Sequence, residues 1–183
     1  MSGSISSLDD ANFLFSKGAD RIVINRSLWD KPHVIKEISD RYGKQAIIAS
    51  LDFKYINQSL FSYDWIRGET RSKFLPDFFE ELIPYIGEIL IQDVEQDGRV
   101  LGANIEAINI ACKSFPDSMP IHIGSCGLVD WKQYSKLLKL NSVDAVCVSN
   151  IHHMSDKAIR ALRKHCMISN IFIRNQCNIA ADV

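Results

Sequence analysis

The sequence predicts an α/β fold, a parallel sheet whose strands are joined by crossover helices. Three observations carry this. Short apolar runs such as AIIASL (46–51) and EILI (88–91) are continuous, as in strands buried on both faces. Stretches with apolar residues at helical spacing lie between them. The two kinds of segment alternate along the chain, as parallel sheets with helical crossovers do. Right-handed crossovers leave two forms, a closed barrel or a doubly wound sheet.

The elements follow in order. Ser6 or Ser7 caps a helix running to about Lys17, with Asp9 and Asp10 in its first turn, where the helix dipole favours them. Ala11, Leu14 and Phe15 form its apolar stripe, and Gly18 stops it. DRIVIN (20–25) is a buried strand. Asp30 caps the next helix, with Pro32 in its first turn, and Gly43 ends it. The strand 46–52 follows and finishes on Asp52. From Phe53 to Lys73 the pattern turns polar and aromatic, reading as a long excursion, in the form of a hairpin, over the carboxyl ends of the strands. Leu75–Tyr85 is helical, closed or bent by Pro84. Glu88–Val94 is a strand, Asn104–Lys113 a helix, and Pro120–Ile123 a short strand leading into the small-residue turn GSCG (124–127). Asp130–Lys139 is a helix, Asp144–Ser149 a strand, and Ser155–Lys164 a helix capped by Ser155. Residues 1–174 read as one domain and 175–183 as a fraying tail.

Composition narrows the function. The 183 residues suit one domain or slightly more. Hydrophobic residues at 46% and charged residues at 23% are a globular balance. A formal net charge of −1 provides no basic field for nucleic acid or anionic membrane. No apolar run approaches a membrane span, and MSGSISSLDD lacks the parts of a signal peptide. Five cysteines without a C-x-x-C pair suit free thiols in a reducing cytoplasm better than zinc. Adjacent His152 and His153 would point in different directions, so a shared metal is not expected, and His122 reads as packed. Trp29, Trp65 and Trp131 read as packing residues.

In α/β folds the carboxyl ends of the strands form the ligand-binding face. Asp52 therefore stands either at the mouth of a pocket or simply at the start of a loop, where Asp is common. The segments beginning at Gly3-Ser4 and Gly124-Ser125 echo each other: a turn, then a helix begun by Asp9 or Asp130, then a strand. Glycine-rich turns offer backbone N–H groups to anions, and two on one face could hold a phosphate at each end of a ligand.

Together, GSISSLDDANFLFSKGADRIVIN, AIIASLDFK, GEILIQDVEQDG, IHIGSCG and DAVCVSNIHH resemble, in order and spacing, the cyclase subunit of imidazole glycerol phosphate synthase. The likeness covers nearly the whole chain up to about Lys164. It implies a (β/α)8 barrel of the TIM-barrel type. It also implies a cyclase (lyase) of histidine biosynthesis that takes ammonia from a glutaminase partner. The implied substrate is a bis-phosphorylated ribulosyl aminoimidazole carboxamide, split into imidazole glycerol phosphate and an aminoimidazole carboxamide ribotide, with no cofactor. By position, Asp52 matches the family's general base, and a carboxylate suits proton shuttling if its pKa lies near the working range. Asn25 matches a substrate-pocket position, and Asp97 and Gly98 match the turn after strand six. Gly3, Ser4, Gly124, Ser125 and Asn150 match the phosphate-binding regions. Arg21 and Glu88 match half of a charged ring that gates ammonia at the opposite end, with a plain salt bridge as the alternative.

Departures accompany the likeness. A complete barrel of this kind takes roughly 250 residues, and this chain carries counterparts of about strands four to eight. The family's second catalytic carboxylate, on strand one, has no counterpart, which leaves open whether the chain is an enzyme. Gln92-Asp93 replaces Thr-Ser, and Asp93 is expected to add negative charge near the phosphate site. Two further readings follow: a paralogue supporting ammonia-dependent sugar amidation in surface-polysaccharide synthesis, or a non-catalytic partial barrel.

Overall fold

The structure is a computed structural model and describes residues 4–99, 101–124, 127–128, 130–148 and 158–172. Its strands are β1 (Ile22–Ile24), β2 (Ile47–Ile56), β3 (Ser59–Asp64), β4 (Glu69–Thr70), β5 (Glu88–Asp93), β6 (Ile121–Ile123) and β7 (Ala145–Val146). The helices are α1 (Leu8–Ser16), α2 (Ser27–Asp30), α3 (Pro32–Tyr42), α4 (Phe79–Leu82), α5 (Ile105–Cys112), α6 (Trp131–Leu138) and α7 (Ala158–Ile168). β1, β2, β5, β6 and β7 pair in parallel, each beside the next, as a singly wound barrel wall requires. β3 and β4 add an antiparallel hairpin to the far end of β2. Among the described residues the wall stays open, with no pairing between β1 and β7.

The helix ends follow local chemistry. Ser7 Oγ accepts from the Asp10 N–H at 3.2 Å while the Asp10 carboxylate accepts from the Ser6 N–H at 2.8 Å, a near relative of the capping box. Asn104 and Asp130 cap α5 and α6 through their side chains. Gly43, at φ +82°, closes α3.

One face of the sheet is dry. Ile22 and Ile24, Ile47, Ala49, Leu51 and Phe53, and Ile89 and Ile91 are all at most 1% exposed. They pack under Val34, Ile35 and Ile38 of α3 and Ala107, Ile108 and Ala111 of α5. Phe53, Phe74, Phe115 and Phe79 continue this core edge to face, with ring centroids 5.9 to 6.1 Å apart. Gly87 lets β5 in close: a Cβ there would lie 2.5 Å from the Lys44 carbonyl oxygen.

Several expectations are corrected. β2 does not stop at Asp52 but runs to Ile56 and turns through Asn57 and Gln58, both at positive φ, the backbone of a tight two-residue hairpin. Nor is β2 buried equally on both faces, since Ile48 is only half-buried. Asp30 ends α2 rather than capping α3, because its carboxylate is taken by Arg26 at 2.6 Å. The helix read across Leu75–Tyr85 is only α4 and a 3-10 turn at Ile83–Tyr85, since Pro76 and Pro84 each remove a backbone donor. The C-terminal strand is shorter than read, Ala145–Val146. Ser155 and the tail from 173 lie outside the described residues.

Candidate functional site

Side chains alternate across a strand, so the register defines the other, concave face. Asp52 pairs with Gln92, and Ser50 with Leu90. These four, with Val23 and Asn25 of the β1 segment, line a cavity of about 630 Å³ at the carboxyl ends of the strands. Its far wall is the segment 4–6, with Arg26 and Lys31. Ser27 Oγ donates to the Ile5 carbonyl at 2.5 Å, and Lys31 Nζ to that of Ser6 at 3.2 Å, fastening this segment to α2. Trp65 and Ile66, at the end of the hairpin, form the rim.

Asp52 is 7% exposed. Its Oδ2 accepts from Asn25 Nδ2 at 3.0 Å, and the same amide reaches the Ser50 carbonyl at 3.1 Å. Burial pushes the Asp52 carboxyl up to about 6; the Asn25 and Trp65 donors pull against this, and the nearby Asp97 carboxylate adds to it. A carboxylate poised there serves as a proton acceptor near neutrality.

The residues singled out from the sequence do not all come together. Ser4, Asn25 and Asp52 line one cavity. Asp97 and Gly124 reach it through Gln92, whose Nε2 donates to Asp97 Oδ2 at 3.1 Å and whose Oε1 would lie 3.2 Å from a Cβ on Gly124. Gly98 sits in the same turn at φ +73°, outside the cavity lining. Gly3, Ser125 and Asn150, like Cys126, His152 and His153, lie outside the described residues. Arg21 and Glu88 stand at the amino ends of the strands, joined at 2.6 Å. Glu88 Oε2 also approaches His122 Nε2 at 3.4 Å.

Asp93 does not charge the pocket. It pairs with Phe53 on the opposite face, is 1% exposed, and accepts from the Glu95 N–H at 3.0 Å. The strict alternation of EILIQD carried that signal: Asp93 falls in phase with Ile89 and Ile91, not with Gln92. Trp65, read as packing, is 56% exposed on the cavity rim. Arg26 and Lys31 carry no sequence signal beyond position, Arg26 directly after the strand 20–25 and Lys31 between Asp30 and Pro32. Among the described residues no three His, Cys, Asp or Glu side chains converge as a metal site would require. None of the described helices is long and apolar enough to cross a membrane.

A singly wound parallel wall with a carboxylate cavity at its carboxyl ends defines a protein of the (β/α)-barrel class. Comparison narrows the class. The family model described as "Histidine biosynthesis protein" matches residues 1–158, and the chain belongs to that family. It is 31% identical over 170 residues, 88% of this chain and 60% of the relative, to subunit hisF2 of Parasynechococcus marenigrum, a protein whose name assigns it provisionally to imidazole glycerol phosphate synthase. It is 25% identical over 174 residues to the imidazole glycerol phosphate synthase subunit HisF of Hydrogenobaculum sp., covering 94% of this chain and 68% of that one. The HisF subunit of Leptospira biflexa is 27% identical over 166 residues, 88% of this chain and 64% of the relative. The chain thus spans between 60% and 68% of the length of these relatives.

Proposed function

We propose that the chain works as a cyclase-type subunit of imidazole glycerol phosphate synthase. In this reading it uses glutamine-derived ammonia on a bis-phosphorylated ribulosyl aminoimidazole carboxamide, in the cytoplasm, beside a glutaminase partner. The observation that carries the reading is Asp52: a buried carboxylate with a raised pKa, held by Asn25 in the lining of a cavity. Its role is general base. During ring closure it takes a proton from the nitrogen that attacks the carbonyl carbon, then returns it to the leaving group. Asn25 fixes the carboxylate's orientation. Ser4, Asp97, Gly98 and Gly124, with Gly3, Ser125 and Asn150, are assigned to substrate and phosphate binding. Arg21 and Glu88 are assigned to the ammonia gate, because their ion pair lies on the cavity's own face but at the other end of the strands.

The test is turnover of the ribulosyl substrate with ammonium salts. Asp52→Asn is expected to lower it by about a hundredfold or more, with little change in substrate affinity. Turnover that survives this substitution unchanged would remove Asp52 from the role.

A second reading changes the acceptor to a sugar undergoing amidation. Gln92 favours it, because its amide occupies the cavity floor and ties up Asp97. Glutaminase stimulation by this chain without turnover of the ribulosyl substrate would select that reading.

A further inference from the structure

Trp65 and Ile66 are 56% and 68% exposed, yet the turn that presents them is tightly built. Asp64 Oδ1 accepts from the Ile66 N–H at 3.0 Å and the Arg67 N–H at 3.2 Å. Its Oδ2 accepts from Arg71 Nη2 at 2.7 Å. The Gly68 N–H closes the turn on the Asp64 carbonyl at 2.8 Å. Tyr63 meets the Trp65 ring edge to face, with centroids 5.0 Å apart at 89°. A large indole is therefore fixed in place with open space before it, on the rim of the cavity that holds Asp52. The same lining carries Arg26, ion-paired with Asp30 at 2.6 Å, and Lys31, which donates to the Ser6 carbonyl, so one net positive charge remains in that wall. Such a geometry suits a ligand with a flat group at one end and an anion at the other: the flat group meets an aromatic face, the anion the Lys31 ammonium and the free edge of the Arg26 guanidinium.

We propose that Trp65 is a specificity-determining residue of the Asp52 cavity, stacking on a planar heteroaromatic or carboxamide group of an anionic ligand. This rests on the reading of that cavity as the substrate site. The indole places the planar group so that its polar edge meets the Asp52 carboxylate and the Asn25 amide. It discriminates against ligands of equal charge that lack a flat group.

The test uses the full 183-residue chain and two probes sharing a sugar phosphate, aminoimidazole carboxamide ribotide and ribose 5-phosphate, titrated calorimetrically. Trp65→Ala is expected to weaken the ribotide about tenfold, while Trp65→Phe stays within about threefold of the parent chain. Ribose 5-phosphate affinity should be the same in all three. Trp65 is more than half exposed but meets Tyr63, so unchanged far-ultraviolet circular dichroism should accompany both variants, with at most a small drop in melting temperature. Equal weakening of both probes would make Trp65 a general wall and overturn the stacking role. If ribose 5-phosphate binds and the ribotide is indifferent to Trp65→Ala, the proposal falls while the cavity's reading stands. If the parent chain binds neither probe, both fall.

Discussion

Asp52 on the sheet and Asp64 at the hairpin end expose the same small fraction of their surface, 7% each, yet their carboxyls are driven in opposite directions. Burial raises both. At Asp64 the Arg67 and Ile66 backbone N–H groups and the Arg71 and Arg67 charges outweigh burial, and the pKa ends below its ordinary value. At Asp52 the opposing donors are one amide and one indole, no cation takes part, and the pKa ends at about 6. Solvent exposure alone does not decide what a carboxylate does: Asp52 lies deeper and has few donors, while Asp64 lies nearer the surface among donors and cations. Asp64 is fully used as an architectural anion. Asp52 keeps lone pairs to spare, the condition for proton transfer.

The largest expected effect is on the architectural side. Asp64→Ala leaves Arg71 without its closest anion and orphans two turn N–H groups, and should cost about 3 kcal/mol in urea unfolding at neutral pH. The depressed pKa also sets a sign. Asp64's contribution is present above the unfolded value near 3.8 and is lost as pH falls through the folded one. A loss below about 1 kcal/mol, at the level of a surface pair, would erase the distinction between the two carboxylates.

Asp52 should behave in the reverse sense. Its folded pKa lies above the unfolded one, so the folded state binds the proton more tightly, and stability falls as pH rises from about 4 through about 6. Asp52→Asn keeps the shape and removes the charge. It should gain about 2 kcal/mol at pH 7 and nothing near pH 3.5. The same substitution is expected to lower turnover about a hundredfold or more, so stability and activity would move in opposite directions at one residue. Destabilisation at pH 7 would show instead that the ionised form is well solvated.

Arg71 sharpens the contrast on a smaller scale. Its guanidinium lies 4.4 Å from the Trp29 ring centroid and 3.9 Å from Asp30 while bonding Asp64. Lysine keeps the charge but loses the flat face and the forked geometry, so Arg71→Lys should cost about 1 kcal/mol. Thermal melting checks it. A variant as stable as the parent would mean that charge alone holds the hairpin end.

How far these regions were legible in the sequence differs for a physical reason. The floor of the site was readable because it belongs to a periodic element: the apolar run 46–51 announced a strand, and a carboxylate directly after it fell where barrel strands offer side chains to ligands. The same periodicity would have placed Asp93 on the dry face, had alternation been weighed above mere proximity to Gln92. The hairpin was visible only as a break in pattern. Trp65 looked like core because an aromatic residue in a folded domain usually is, and its exposure depends on Asp64 closing a turn and on Arg71, seven residues on, reaching back. Contacts of that kind follow no period. Asp30 was misplaced likewise: as a cap its position was plausible, but Arg26 competes for the same oxygens, and a guanidinium at 2.6 Å outcompetes a pair of amide hydrogens.

The smallest expected effect tests the donor argument at Asp52 itself. Asn25 Nδ2 bridges the carboxylate and the Ser50 carbonyl, and Asn25→Ala removes both bonds with little change in the apolar core. Two consequences compete. Losing the donor raises the Asp52 pKa further above 6, because the ionised form loses the partner that favoured it. Opening space admits water, which favours the ionised form and lowers the pKa. The cavity is already open to solvent at its rim, while Asp52 lies deep in it, so the lost donor should prevail. Carboxyl carbon NMR titration should show an upward move, with a stability change of less than about 1 kcal/mol. A downward move would mean that hydration, rather than the count of protein donors, separates Asp52 from Asp64.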